Sequence, residues 1–66
     1  MNIKINGESK VVKDSITVTE LLDIINASTV GIAVEVNLEI VPRSAHSSTE
    51  LKEGDLVEIV KMVGGG

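Results

Sequence analysis

The start of the chain alternates between polar and apolar positions, a period of two that is typical of a half-buried β-strand. In NIKIN at 2–6 both isoleucines fall on one face. The dipeptide Asn6-Gly7 is a strong signal for a tight hairpin turn, and KVVK at 10–13 supplies a returning strand. The pattern therefore predicts that the chain opens with a β-hairpin.

Between residues 14 and 26 the apolar period changes to that of an α-helix. Thr17 and Glu20 have the spacing of a capping box, in which each side chain satisfies a free backbone amide of the other residue. This predicts a helix of about 10 residues that begins at Thr17 and ends near Asn26. The apolar residues that share one helical face are Val18, Leu21, Leu22 and Ile25.

Strand-like alternation returns in the second half of the chain, first at 31–37 and finally at 56–63. Between them, LEIVPR at 38–43 indicates a short strand, which Pro42 ends or confines to a sheet edge. The segment KEGD at 52–55 is typical of a turn.

The polar segment 44–50 contains the single histidine of the chain, His46, next to serines. A serine–histidine site would need a base oriented by a third group and an oxyanion hole, and neighbours on one loop do not supply these. We therefore interpret this segment as a solvent-exposed connection and predict no catalytic residue.

The predicted order is β-hairpin, helix, strand, short strand and last strand. One helix would cover one face of a mixed sheet of four or five strands, with the first and last strands as central neighbours. This order matches the α+β class and the β-grasp architecture, although other small α+β folds satisfy the same pattern. We expect one domain over residues 1–63, with residues 64–66 as a flexible C-terminal tail.

Composition limits the chemistry. The 66 residues include no Cys, Phe, Tyr or Trp and carry a formal charge of −4. Disulfides, thiolate ligands and a carboxylate metal cluster are not indicated, so we expect an aliphatic core and no metal. An acidic chain with a single arginine and no aromatic ring is a poor nucleic-acid ligand. Without an apolar run of about 20 residues, we expect no membrane association and a cytoplasmic protein.

The alternation of the last strand predicts which of its residues face a partner. Val57 and Ile59 point to the core, whereas the other face is exposed because Glu58 should not be buried. We expect a docking surface on this face. By the same alternation Lys61 falls on the core side, so its stem should pack while its amine reaches water. The predicted docking residues are Glu58, Val60 and Met62.

The chain ends in Gly64, Gly65 and Gly66. Without a Cβ, glycine lets the backbone enter a narrow slot, and residues 63–66 can span about 13 Å when extended. The tail is either a linker or the functional end of the protein. In the second case its terminal carboxylate would become reactive once it is joined to a leaving group.

Over its whole length the chain resembles the ThiS family, the small sulfur-carrier proteins of thiamine biosynthesis. The resemblance is carried by VTELL at the helix start, VNLEIVPR at 36–43, LKEGDLVEIV at 51–60 and the terminal Gly-Gly. It implies a ubiquitin-like β-grasp fold.

The resemblance also implies a function as a protein co-substrate rather than an enzyme. An E1-like adenylating enzyme (ThiF-like) would use ATP and Mg²⁺ to adenylate Gly66, with Gly65 as its required neighbour and Gly64 as an additional glycine. Sulfur from a cysteine desulfurase would convert the end to a thiocarboxylate, which thiazole synthase (ThiG-like) would consume. The carrier itself would bind no cofactor and would be a monomer when free.

Three alternatives share parts of this pattern. The small subunit of molybdopterin synthase has the same fold, tail and thiocarboxylate, but it is usually longer and richer in aromatic residues. A ubiquitin-like modifier would use the tail to form an isopeptide bond with lysine. A β-grasp interaction module would bind through Val60 and Met62 and would not need Gly65 or Gly66.

Overall fold

The computed structural model describes residues 1–27 and 30–62 of the chain. The described elements, in order, are β1 (Asn2–Ile5), β2 (Glu8–Val11), α1 (Val18–Ile24), β3 (Ile32–Val36), β4 (Glu39–Val41), a short 3₁₀ helix (Arg43–Ala45) and β5 (Leu56–Lys61).

The strands form one five-stranded sheet in the order β2-β1-β5-β3-β4. β1 runs parallel to β5, and the other neighbours are antiparallel. The expectation that the first and last strands are central neighbours is confirmed. A mixed sheet with one helix packed on one face is the β-grasp architecture that the sequence indicated.

The opening hairpin forms, but its second strand is two residues earlier than the predicted 10–13. Asn6 and Gly7 adopt positive φ values of 49° and 85°, as a tight two-residue turn requires. This turn pairs Ile5 directly with Glu8, so strand pairing begins immediately after it.

The helix begins as predicted. Glu20 N–H donates to Thr17 Oγ1 at 3.1 Å, and Thr17 N–H donates to Glu20 Oε1 at 3.0 Å, which is a complete capping box. The helix has seven residues instead of about 10. It is shorter because Ile25 is already its C-cap and Asn26 turns the chain with a φ of 57°.

This capping box makes stability depend on pH. A hydrogen bond from Lys13 Nζ, 2.7 Å long, and then one from Thr17 N–H hold the pKa of Glu20 below its ordinary value of 4.5. The ionised carboxylate thus stabilises the fold above that pH, and this contribution is lost as the pH falls through the lowered pKa.

We therefore expect Glu20→Gln, which keeps a capping amide but loses the charge, to destabilise the domain near neutral pH and not at strongly acidic pH. Urea unfolding of both proteins across the acidic range, followed by circular dichroism, measures this difference. A difference that did not shrink on acidification would contradict it.

The core lies between α1 and one face of the sheet, and the buried apolar side chains of the described residues are all aliphatic. Val18, Leu21 and Leu22 of the helix are almost fully buried. The buried apolar residues of the described ranges are Ile3, Val12, Ile16, Val18, Leu21, Leu22, Val34, Leu51 and Val57. Within residues 1–27 and 30–62 no helix packs on the opposite sheet face, which we call the open face.

The interpretation of His46 as part of a solvent-exposed loop is wrong. Its side chain is only 7% exposed, and Nε2 lies 3.1 Å from the carbonyl oxygen of Val41. Its own carbonyl accepts a hydrogen bond from Thr19 N–H at 3.1 Å. His46 thus ties the 3₁₀ turn to β4 and to the start of α1, which is a structural role.

Candidate functional site

The site is built on β5, the central strand that leads to the glycines. On its β1 side, Asn6 continues the pairing beyond the end of β1. Asn6 N–H donates to Val57 O at 2.9 Å, and its side-chain Oδ1 accepts from Ile59 N–H at 2.8 Å. The side-chain amide therefore replaces a peptide group in the sheet and fixes β5 near its last residues.

A second asparagine holds the beginning of β5 from the β3 side. Asn37 N–H donates to Leu56 O at 2.7 Å, and Asn37 Oδ1 accepts from Leu56 N–H at 3.0 Å. Asn37 Nδ2 also donates to Asp55 Oδ1 at 3.0 Å. Sequence reasoning took Asn6 as a turn residue and missed both side-chain roles.

β5 also remains paired up to the last described residue. Met62 N–H donates to Gly31 O at 2.7 Å, so the backbone is held to within a few residues of the tail. The last strand ends at Lys61, before the predicted end at 63. Gly64, Gly65 and Gly66 lie outside the described residues.

Of the predicted docking residues, Glu58 and Val60 lie on the open face of β5, as the alternation indicated. Met62 lies beyond the end of the strand and, with Lys61, lines the groove between the end of α1 and the sheet. Val60 is 44% and Met62 65% exposed, and Glu58 is exposed beside them. Lys61 is exposed as well, in agreement with its predicted position at the edge of the core. It lies on a groove of about 710 Å³ between the end of α1 and the sheet.

Two carboxylate side chains form a cross-strand pair on the open face. Glu35 of β3 is directly opposite Glu58 of β5, and residues directly opposite in antiparallel strands point to the same side of the sheet. Within residues 1–27 and 30–62, neither carboxylate has an ion-pair partner. The open face thus combines apolar side chains with two carboxylates, and Lys4 of β1, in register with Leu56, adds a positive charge to the same face.

The described part of the chain offers little for other kinds of chemistry. It contains no group of three His, Asp or Glu residues that could hold a metal ion. Among the described residues, no helix is long and apolar enough to cross a membrane.

A β-grasp domain whose central last strand runs out into glycines belongs to the class of ubiquitin-like proteins. The particular family follows from comparison with known proteins, since residues 3–66 match the ThiS family. The chain belongs to the ThiS family.

Similar proteins support this assignment. The crystal structure of the thiamine biosynthesis protein ThiS from Geobacter metallireducens superimposes with a TM-score of 0.89, at 38% identity and full coverage of both chains. A thiazole synthase from Paramagnetospirillum magneticum is 42% identical over the whole chain, which spans only 20% of that protein. The uncharacterized protein ycf40 of Porphyra purpurea is 33% identical, and the chain covers 93% of it.

The family and the match to a thiamine biosynthesis protein support a sulfur-carrier role. They also agree with a small carrier that is not itself an enzyme.

Proposed function

We propose that this chain carries sulfur for thiazole formation in thiamine biosynthesis, as a thiocarboxylate on Gly66. In this proposal an E1-like adenylating enzyme activates the chain end, a cysteine desulfurase supplies the sulfur, and thiazole synthase receives it. The proposal requires that Gly66 carries a free carboxylate.

Activation is needed because a carboxylate is ionised at neutral pH and does not accept a nucleophile. Attack of the Gly66 carboxylate on ATP would form an acyl-adenylate and release pyrophosphate. A persulfide formed by the desulfurase would then attack the acyl carbon and displace AMP. A thiol such as excess cysteine would cleave the acyl disulfide so formed, which releases the thiocarboxylate and leaves a disulfide. ATP and Mg²⁺ would be bound by the activating enzyme, and the carrier would supply only the acyl group.

The observation that carries the proposal is the way β5 is held. Asn37 and Asn6 bind its backbone on opposite sides, and Gly31 holds Met62. The glycines therefore come one residue after a central strand that is hydrogen-bonded up to Met62, and a folded body too large for an active site could present them there. Similarity to part of a thiazole synthase supports that enzyme as the acceptor.

Intact mass spectrometry tests the proposal. The protein would be incubated with ATP, Mg²⁺, cysteine, a desulfurase and the E1-like enzyme of the same organism. We expect a mass gain equal to replacing one oxygen by sulfur, mapped to Gly66. An unchanged mass, while a known carrier is converted under the same conditions, would favour an interaction module without an activated tail.

The docking role proposed for Val60 and Met62 has a separate test. We expect Met62→Asp, and to a similar degree Val60→Asp, to weaken binding to the activating enzyme by about tenfold or more, since buried interface anchors dominate affinity. Both side chains are well exposed, so the urea midpoint should change little. Titration calorimetry measures the affinity.

Ile24→Asp is the matched control, because Ile24 is 56% exposed but lies on α1, away from the open face. It should leave the affinity unchanged. Equal affinities for Met62→Asp and the parent chain would mean that another surface docks.

A further inference from the structure

Two asparagines occupy equivalent positions in the sheet. Asn6 and Asn37 each follow a strand and open a two-residue turn, with φ values of 49° and 51°. The next residues also have positive φ values, 85° at Gly7 and 71° at Leu38, as in a type I′ turn. Each asparagine side chain accepts a hydrogen bond from a backbone N–H of β5. The two residues thus hold the same strand by the same means.

The two ends of β5 differ in how many strands flank them. The start has a neighbour on each side, because β1 is in register with Leu56 and Val57, and β3 pairs with β5 from Val57 to Lys61. Ile59 lies two residues beyond the β1 register. There the side chain of Asn6 takes the place of a strand on the β1 side. The end of β5 therefore depends more on its asparagine than the start does.

The contact between Asn6 and β5 has three parts. Asn6 Oδ1 accepts from Ile59 N–H at 2.8 Å, Asn6 Nδ2 lies 3.5 Å from Ile59 O, and Asn6 N–H donates to Val57 O at 2.9 Å. Asn6 and Ile59 line the same groove as Lys61 and Met62. Without the side-chain amide, the end of β5 would separate from the sheet more often, since strand ends with few hydrogen bonds open locally.

The separation of this strand end would change what an activating enzyme has to order. When β5 is paired up to Met62, at most residues 63–66 must be ordered on binding. When it separates back to Ile59, the segment grows to residues 59–66. Each added residue costs backbone entropy, so the enzyme selects the paired form. An affinity for one of two forms is reduced by the fraction of molecules in that form.

We propose that Asn6 is a positioning residue for activation of the chain end, because its side chain keeps the last residues of β5 in the sheet. This rests on the proposed function, in which an activating enzyme adenylates Gly66. Asn6 does not touch the reacting atoms and acts through Ile59. It sets the fraction of free chains that can enter the active site, and it has no part in adenylation once the tail is bound. Its loss therefore raises KM for the carrier and leaves kcat almost unchanged.

Asn6→Gly removes the side-chain contacts and keeps the turn, since Gly-Gly is also favoured in a type I′ turn. We expect KM for the carrier to rise about tenfold and kcat to stay within about twofold of the parent value. Pyrophosphate release by the purified activating enzyme, at varied carrier concentration, measures both constants. Asn6→Asp keeps an acceptor for Ile59 N–H and tolerates positive φ, so most of the lost affinity should return.

Hydrogen exchange locates the effect in the free protein. In Asn6→Gly the amides of Ile59 and Met62 should exchange about tenfold faster than in the parent chain, because local opening exposes them. Asn37→Gly is the matched variant at the other end of β5. It should speed exchange at Leu56 and leave Met62 unchanged.

Thr49→Val is the control for a general loss of stability. It removes a hydrogen bond of 2.7 Å from Thr49 Oγ1 to the carbonyl oxygen of Ala45, and Thr49 does not line the groove beside the tail. It should lower the urea midpoint and leave KM and kcat at their parent values.

Each other outcome overturns the proposal. A parent-like KM in Asn6→Gly, or a fall in kcat alone, would remove Asn6 from the positioning of the tail. Faster exchange spread evenly over the sheet, or an equal rise of KM in Thr49→Val, would reduce the effect to lost stability. If the parent chain and Asn6→Gly are converted alike, only the role of Asn6 fails. If the parent chain releases no pyrophosphate while a known carrier does, the proposed function fails and this inference fails with it.

Discussion

Replacing Gly66 by alanine is expected to reduce conversion of the chain to its thiocarboxylate by more than about 100-fold, since misplacing a reacting group by about 1 Å costs that much. The added methyl group would occupy the slot that carries the chain end past ATP. Extending the chain by one residue should have the same effect, because it moves the carboxylate by about 3.3–3.6 Å. Intact mass spectrometry after incubation with the activating system measures both.

Gly64→Ala is the matched control. It makes the same chemical change two residues earlier, at a glycine on which the proposed chemistry does not depend, and conversion should persist. All of these changes lie beyond Met62, so urea unfolding should match that of the parent chain. Normal conversion of Gly66→Ala or of the extended chain would contradict a role for the terminal carboxylate.

The fold could be predicted where local pattern and tertiary packing agree. Thr17 and Glu20 act within one turn of chain, so their spacing was sufficient to predict the helix start. Alternation in β5 predicted the exposure of Glu58 and Val60, because one face of the sheet is buried and a strand has a period of two. The helix was predicted to end near Asn26 and ends at Ile24, because Asn26 turns the chain through a backbone angle that spacing does not reveal.

Contacts between residues far apart in sequence could not be predicted in the same way. His46 looked solvent-exposed beside serines, yet the 3₁₀ turn brings it against Val41 and buries it. The side chain of Asn6 binds Ile59, far along the chain, and a turn signal contains no sign of such a bond. Leu38 was one apolar residue among several until its φ value became known.

The candidate site likewise has residues that local pattern predicts and residues that only the strand register reveals. Glu58 and Val60 could be assigned to the open face from alternation alone, and the structure adds their neighbours across the sheet. Met62 lies beyond the end of β5, where alternation no longer fixes its side. Glu35 becomes relevant only through its register with Glu58. The docking surface that the sequence predicts on one strand thus belongs to a sheet face of several strands in the structure.

A single cavity in the core is expected to have the largest effect on stability. Leu21→Ala should lower the free energy of unfolding by about 2–5 kcal/mol, the usual cost for a buried leucine, because Leu21 is 1% exposed between α1 and the sheet. A domain of 66 residues has in total only roughly 3–10 kcal/mol, and no cysteine is present to crosslink it. Urea unfolding measures the loss by circular dichroism, since the chain has no aromatic fluorophore.

Ile24→Ala deletes a comparable aliphatic group from the same helix at a side chain that is 56% exposed, and it should cost less than about 1 kcal/mol. The difference in unfolding free energy between the two variants therefore reports the burial of the replaced side chain. Helix propensity contributes little to it, because both variants introduce alanine, the best helix former. It also bears on function, since β5 can present the tail only while the core holds the sheet against α1. If conversion by the activating enzyme survived in a Leu21→Ala chain that is largely unfolded, the folded body would not be needed to present Gly66.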